Sequence, residues 1–258
     1  FISLSMVINL LNNIFFTVQA LNSNIDIMAT NHFKYDVTIA IVNFNGSKFL
    51  DRALRSCLDQ AISNLKLEII VIDDKSTDNS MKYLTNGYIR KHIRVYRNKK
   101  NMGPGYCSML AVKKSKGKYF MRVDSDDFLN RNTVDIMHGI LRYNEDIGYV
   151  YCDHFRTDEF GFKQEVVKLD SIKKLYLHGA GVLFRKKLIM EAGNYNPKFR
   201  EAEDHDLLQR LDKICKRYYL PVPLYRYYIH GSNISIKGNR KKYIKLLKLA
   251  KDIVTDMK

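Results

Sequence analysis

Three carboxylates fall within four residues at Asp124, Asp126 and Asp127, directly after the apolar run Tyr119-Phe120-Met121-Arg122-Val123. Like charges this close repel one another and lose hydration, which is tolerable when they are exposed or when a cation lies between them. Asp124 and Asp126 are two apart, so in extended backbone they point to the same side. Two readings suit the arrangement. One is a hard-cation site with room for phosphate oxygens as the remaining ligands. The other is a polar turn after a buried strand, with Asp127 capping the next helix. A second acidic group, Glu203-Asp204-His205-Asp206, opens a segment of helical pattern. The helix dipole alone favours acids in a first turn, so residue type does not by itself assign these a chemistry.

The elements that must position these groups alternate. Apolar, β-branched runs predict strands over 37–42, 67–72, 93–96 and 118–123. Helical spacing or capping signals predict helices over 48–60, from Thr77 or Asp78 to about 86, and 104–115, the last with Pro104 in its first turn. Apolar strands separated by helices imply a mainly parallel sheet covered on both faces, an α/β fold. In such sheets ligands bind beyond the carboxyl ends of the strands. Three polar loops, 43–46, 73–76 and 124–127, converge there. Beyond the carboxylates the pattern predicts a helix over 133–142, strands over 149–154, 162–167, 179–185 and 225–228, and helices over 187–192 and 201–215. This second half reads as a mixed extension of the same sheet, with no evident linker.

The chain has 258 residues, with 46% hydrophobic residues and a formal net charge of +16. Such a surplus implies anionic partners without choosing among nucleic acid, lipid headgroups and phosphorylated substrates; biased composition would also produce it. Cys57, Cys107, Cys152 and Cys215 form no CxxC and no zinc-spaced cluster. Reduced thiols and a cytoplasmic setting, extending to the inner face of a membrane, are expected. Residues 1–25 carry no charged side chain, but Asn and Gln interrupt the apolar stretch and no basic n-region precedes it. An N-terminal extension over 1–30 peripheral to the fold is therefore expected, ahead of a membrane anchor. Residues 236–258 read as a lysine-rich helix that docks on the domain or stays solvated, or else lies on an anionic membrane.

The motifs, taken in order, resemble those of the family 2 glycosyltransferases. They are Val-Asn-Phe-Asn at 42–45, Ile-Asp-Asp-Lys-Ser-Thr-Asp at 72–78, Asn-Met-Gly at 101–103 and Lys-Gly-Lys-Tyr-Phe at 116–120. Asp-Ser-Asp-Asp at 124–127, Gly-Ala-Gly-Val-Leu-Phe-Arg at 179–185, Glu-Asp-His-Asp-Leu at 203–207, Tyr-Arg at 225–226 and His-Gly-Ser-Asn-Ile-Ser at 230–235 follow. The match spans about residues 36–235, and 31–235 would be the catalytic domain. Each motif is weak alone; their order and spacing make the set specific.

The resemblance implies a GT-A fold and a metal-dependent, inverting transfer of a sugar from a nucleotide donor, a UDP-sugar first, to a hydroxyl on a glycan, lipid or protein. It implies Phe44 against the base, Asp74 reading the base, and Asp124 near the ribose or the metal shell. Asp126 of the DxD motif would hold Mn²⁺ or Mg²⁺, with Asp127 as a further ligand or a helix cap and His230 close to metal and diphosphate. Asp204 would be the catalytic base, with Glu203 beside it. Arg226 is a candidate for the phosphates, and Gly179 and Gly181 would let backbone approach sugar or acceptor. The chain departs from the pattern at Lys75, where the family carries glycine, and it contains no Trp. No large acceptor domain or multi-span region is visible, so a stand-alone transferase is expected.

Two other classes compete. A nucleotidyltransferase also sets carboxylates and Mg²⁺ on an α/β sheet, but Asn43-Phe44-Asn45-Gly46 is not a glycine-rich, basic triphosphate loop. A nucleic-acid-binding protein would suit the charge, yet no basic cluster interleaved with aromatics stands out within 36–235. No nucleic-acid partner is expected.

Overall fold

The computed structural model describes residues 33–230. The expectations for 1–30, for 231–235 and for 236–258 lie outside these described residues. Strands β1 (Tyr35–Asn43), β2 (Leu67–Asp73), β3 (Arg94–Arg97) and β4 (Gly117–Asp124) are all mutually parallel where they pair, in the order β3-β2-β1-β4. The sheet continues through β8 (Val182–Arg185), β6 (Ile147–Thr157), β9 (Lys216–Tyr228) and β5 (Phe128–Leu129), with β7 (Lys163–Val167) on β6. In this half only β6 and β9 run parallel; the other pairs are antiparallel. A parallel half joined to a mixed extension matches the architecture expected from the pattern.

Period-two alternation sorts β1 between two cores. Ile39 and Ile41 face one side, packed with helix α1 (Leu50–Leu58) and helix α5 (Thr133–Tyr143). Ala40 faces the other, with helix α4 (Pro104–Lys114) and helix α8 (Glu203–Leu211). Both faces being covered explains the near-continuous apolar reading of β1, β2 and β4. Each fully buried aliphatic side chain contributes roughly 1.5–3 kcal/mol, so this double core is what holds the strand ends in place. Register then sets the site. Asn43 pairs with Asp73, and Val42 with Asp124, so three polar loops leave the sheet along one line.

Several boundaries differ from the pattern. The helix expected from Thr77 or Asp78 to about 86 is shorter, α2 (Ser80–Leu84), and a further helix not expected from the pattern, α3 (Gly87–His92), follows, with the Asn86 side chain accepting from Tyr88 N–H at its start. The expected strand over 179–185 begins at Val182. Gly179 instead closes helix α6 (Ile172–His178) in the left-handed conformation, at φ 55°. Helix α7 (Lys186–Glu191) falls where expected. Strand β9 is much longer than 225–228. Pro221 and Pro223 argue against a regular strand, and the ladder does slip there, passing from Cys152–Leu220 to Asp153–Pro223.

Candidate active site

Loops 43–46 and 73–77 are stitched together before any ligand is considered. Asn43 Nδ2 donates to Asp73 Oδ1 at 3.0 Å and to Ser76 Oγ at 3.1 Å. Thr77 N–H donates to Asn45 Oδ1 at 2.8 Å. The result leaves Phe44 proud of the surface at 52% exposure. A large apolar ring held out on a rigid loop suits stacking against a planar base.

Asp74 is placed differently from the expectation. It is buried, and its carboxylate accepts from Asn98 Nδ2 at 2.7 Å, Met102 N–H at 2.8 Å and Gly103 N–H at 2.7 Å. A carboxylate enclosed by three internal donors organises the 98–103 loop. Lys75 next to it adopts φ 65°, the left-handed conformation that glycine would take without cost.

The acidic strand end divides into three jobs. Asp124 keeps 38% of its side chain open and lies 3.4 Å from Arg122 Nη2. Desolvation pushes its carboxyl up to about 6, with Asp126 and Glu203 adding to the rise and Arg122 opposing it. Asp126 Oδ2 lies 2.9 Å from His230 Nε2. The imidazole stacks on Tyr228, centroids 4.9 Å apart, and on Phe49 at 5.2 Å. Arg52 fixes the same turn from behind, donating to the Asp126 carbonyl at 3.4 Å and lying over the Phe128 ring.

Asp127 turns inward: Tyr225 Oη and Tyr228 N–H each donate to it at 2.9 Å. Burial, with Asp126 and Asp124 nearby, holds its carboxyl well above the usual range. A buried acid with a donor on each oxygen serves to tie the turn after β4 to β9. Neither a metal ligand nor a helix cap matches that position, since β5 and not a helix follows.

On the other side of Arg122, Ala202 at φ 60° turns the chain into α8 and presents Glu203 and Asp204 in its first turn. Both acids meet Arg122. Its Nη1 donates to Glu203 Oε1 at 2.5 Å, and its Nη2 to Asp204 Oδ2 at 2.6 Å. Arg122 is buried, with Ser108 Oγ accepting from it at 3.1 Å. Desolvation drives the Asp204 carboxyl well above the ordinary carboxylate range, with Glu203 and Asp124 adding and Arg122 opposing. The Tyr195 hydroxyl lies nearby, close enough to act on Asp204 though outside strict hydrogen-bond geometry. Gly179 backs the same carboxylate: a Cβ there would fall 2.6 Å from Asp204 Cβ.

Gly181 and Arg226 leave the site. A Cβ on Gly181 would meet Cys152 Sγ and Tyr225 Cβ at 3.1 Å, so this glycine serves strand packing. Arg226 is 6% exposed, donates to the Pro223 carbonyl at 2.7 Å and lies over Phe155. Its neighbours on β6 and β9 consume it within the sheet.

Arg122 is the site residue that motif reading misses. Its signal was present: a lone charge inside an apolar strand needs a buried partner, and it shares the face of Asp124 two residues on.

Asp126 and His230 offer one hard oxygen and one imidazole nitrogen, a donor pair suited to Mn²⁺ or Mg²⁺ with diphosphate oxygens and water completing the shell. Among the described residues no cluster of three or more His, Cys, Asp or Glu has metal-holding geometry. The two residues therefore fit a metal brought in with its phosphates better than a closed protein cage. No described helix is long and apolar enough to cross a membrane.

Acids at the carboxyl ends of parallel strands, facing a second acidic pair across a mixed extension, define a GT-A glycosyltransferase domain. Solved structures agree on this fold. S. aureus TarS 1-349 in complex with UDP-GlcNAc superposes with a TM-score of 0.67 at 19% identity, over 79% of this chain and 61% of that one. The mannosyltransferase PcManGT from Pyrobaculum calidifontis, in complex with GDP-Man and Mn²⁺, gives 0.62 at 16% identity, over 78% and 59%. The chain belongs to glycosyl transferase family 2, whose model matches residues 38–192. It is 27% identical over 208 residues to the chondroitin synthase of Escherichia coli, covering 78% of this chain and 30% of that protein. The chain thus spans under a third of that relative's length.

Proposed function

We propose that this chain transfers a sugar from a nucleotide-sugar donor, UDP-linked, to a hydroxyl of a glycan, lipid-linked or protein acceptor, with inversion and with Mn²⁺ or Mg²⁺. The observation that carries the reading is the shared guanidinium: Asp124, at the end of β4, and Asp204, in the first turn of α8, both meet Arg122. Donor-side and acceptor-side acids therefore border one space.

Phe44 offers a face for the base. Asp126 and His230 would hold a divalent ion, which when bound would supply positive charge against the departing nucleoside diphosphate. Asp204 takes the proton of the acceptor hydroxyl as its oxygen bonds to the anomeric carbon from the side opposite the leaving group. The bond from that carbon to the diphosphate oxygen breaks, and the nucleoside diphosphate carries the electron pair away. The UDP preference is supported by the UDP-GlcNAc complex of TarS, while the GDP-Man complex of PcManGT makes the guanine donor the alternative to include. The charge of +16 supports attachment to an anionic membrane face.

The test is a screen of UDP- and GDP-sugars with Mn²⁺, with EDTA as control, reading released nucleoside diphosphate. Metal-dependent release from one donor is expected. Release of pyrophosphate from a nucleoside triphosphate would instead identify a nucleotidyltransferase.

A further inference from the structure

Resting on the reading above, we propose that Arg122 is a positioning residue that holds the acceptor-side base, Asp204, at a fixed distance from the donor-side acid, Asp124. Three observations carry this. First, Arg122 sits on β4, a central strand packed from both faces, so its backbone is among the least movable in the fold. Second, its fork is divided: Nη1 serves Glu203 and Ser108, while Nη2 serves Asp204 and Asp124. A planar guanidinium fixes the directions of its donors, so groups bound to one fork are fixed relative to each other. Third, Asp204 rises from a helix start with a left-handed Ala202 before it and Gly179 behind it. That start has no side-chain cap. The charged contact that sets the Asp204 carboxylate against the sheet is Arg122, with the Tyr195 hydroxyl beside it.

Arg122 also supplies the positive charge nearest Asp204. Glu203, Asp124 and Tyr195 are the other titratable groups acting on that carboxylate. Without Arg122, the remaining acids would favour the protonated form, and a protonated base cannot accept a hydroxyl proton. Misplacement of about 1 Å costs on the order of 10²-fold in rate.

The experiment compares Arg122→Gln and Arg122→Lys with the unsubstituted chain, each checked for folding by circular dichroism. Transfer is measured from pH 5 to 9 with the donor identified in the screen. Arg122→Gln should lose about 10²-fold in kcat with donor KM changed less than threefold, and the pH at which activity half-develops should move upward by roughly one unit or more. Arg122→Lys keeps the charge and loses the fork; it should restore the pH profile while recovering only part of kcat. In an Asp204→Asn background, Arg122→Gln should cost almost nothing further in transfer. If Arg122→Gln cannot fold, Arg122→Lys decides alone: full kcat there overturns the proposal. So does a loss of kcat that only tracks the folded fraction in Arg122→Lys, or one in Arg122→Gln that does so with an unmoved pH profile. Inactivity of the unsubstituted chain toward every donor would instead reject the functional reading beneath it.

Discussion

His230 Nε2 lies 2.9 Å from Asp126 Oδ2 although the two residues are 104 positions apart. The pair forms because β5 and β9 run antiparallel, joining Phe128 to Arg226, and so bring the turn after β4 beside the end of β9. Tyr228 and Phe49 then hold the imidazole between aromatic faces.

This pair should behave as the metal grip. Asp126→Ala removes the hard oxygen and should lower both donor hydrolysis and transfer by at least about 10²-fold. His230→Ala should raise the Mn²⁺ concentration needed for half-maximal activity by about 10- to 100-fold, with part of the rate recovered at high Mn²⁺. Metal titrations of both variants are the measurement; unchanged metal dependence in His230→Ala would remove the histidine from the site.

If Asp204 is the base, it should set the acid limb of the pH profile. Its carboxyl is raised, first by desolvation and then by Glu203 and Asp124. A base works only when ionised, so activity should fall as pH drops through this raised value. The half-point should therefore lie above the ordinary carboxylate range of about 4. Asp204→Asn should reduce transfer by about 10²- to 10⁴-fold while leaving donor affinity within a few fold. Isothermal titration with the donor and a kcat/KM profile separate the two effects.

The sheet and the acidic loops were legible because they rest on local pattern. Apolar runs in β1, β2 and β4 survive translation into three dimensions; the same-side reading of Asp124 and Asp126 does not, because β4 ends at Asp124 and Asp126 lies in the turn closed by Asp127 N–H on the Asp124 carbonyl. Asp127, Arg226 and Gly181 were misplaced for one shared reason. Each belongs to the contacts of β9, Asp127 and Gly181 through Tyr225 and Arg226 through β6, and the pattern shows β9 only over 225–228 because its prolines mask a bulged strand. A motif gives residue type and order, but whether a carboxylate faces the cleft or a tyrosine depends on a neighbouring strand more than 90 residues away. Arg122 shows the converse: its partners are remote, yet its isolation within an apolar strand already announced that partners exist.

Asp74 offers a clean separation between two roles. As an internal clamp it satisfies Asn98, Met102 N–H and Gly103 N–H. Asp74→Ala would leave these donors unpaired, each at roughly 1–3 kcal/mol, so a loss of about 3 kcal/mol in urea unfolding is expected. Asp74→Asn keeps one acceptor oxygen and should fall between. A base-reading role predicts the opposite: near-native stability and a selective loss of nucleotide affinity. Unfolding curves and nucleotide binding measured on the same samples tell the roles apart.

Lys75 at φ 65° carries a conformation that costs a residue with a Cβ roughly 1–2 kcal/mol. It persists because its neighbours are fixed: Asp74 N–H donates to the Asn43 carbonyl at 2.8 Å, and Ser76 N–H donates to Asp73 Oδ2 at 3.1 Å. Lys75→Gly relieves the steric strain but adds freedom to the unfolded chain, about 0.5–1 kcal/mol against it. The balance favours the glycine variant by up to about 1 kcal/mol, and Lys75→Ala should gain nothing, since alanine keeps the Cβ. The lysine side chain is exposed, so lost contacts do not enter the comparison. Thermal unfolding of the two variants checks this: a glycine variant less stable than the alanine variant would mean that the turn is not strained.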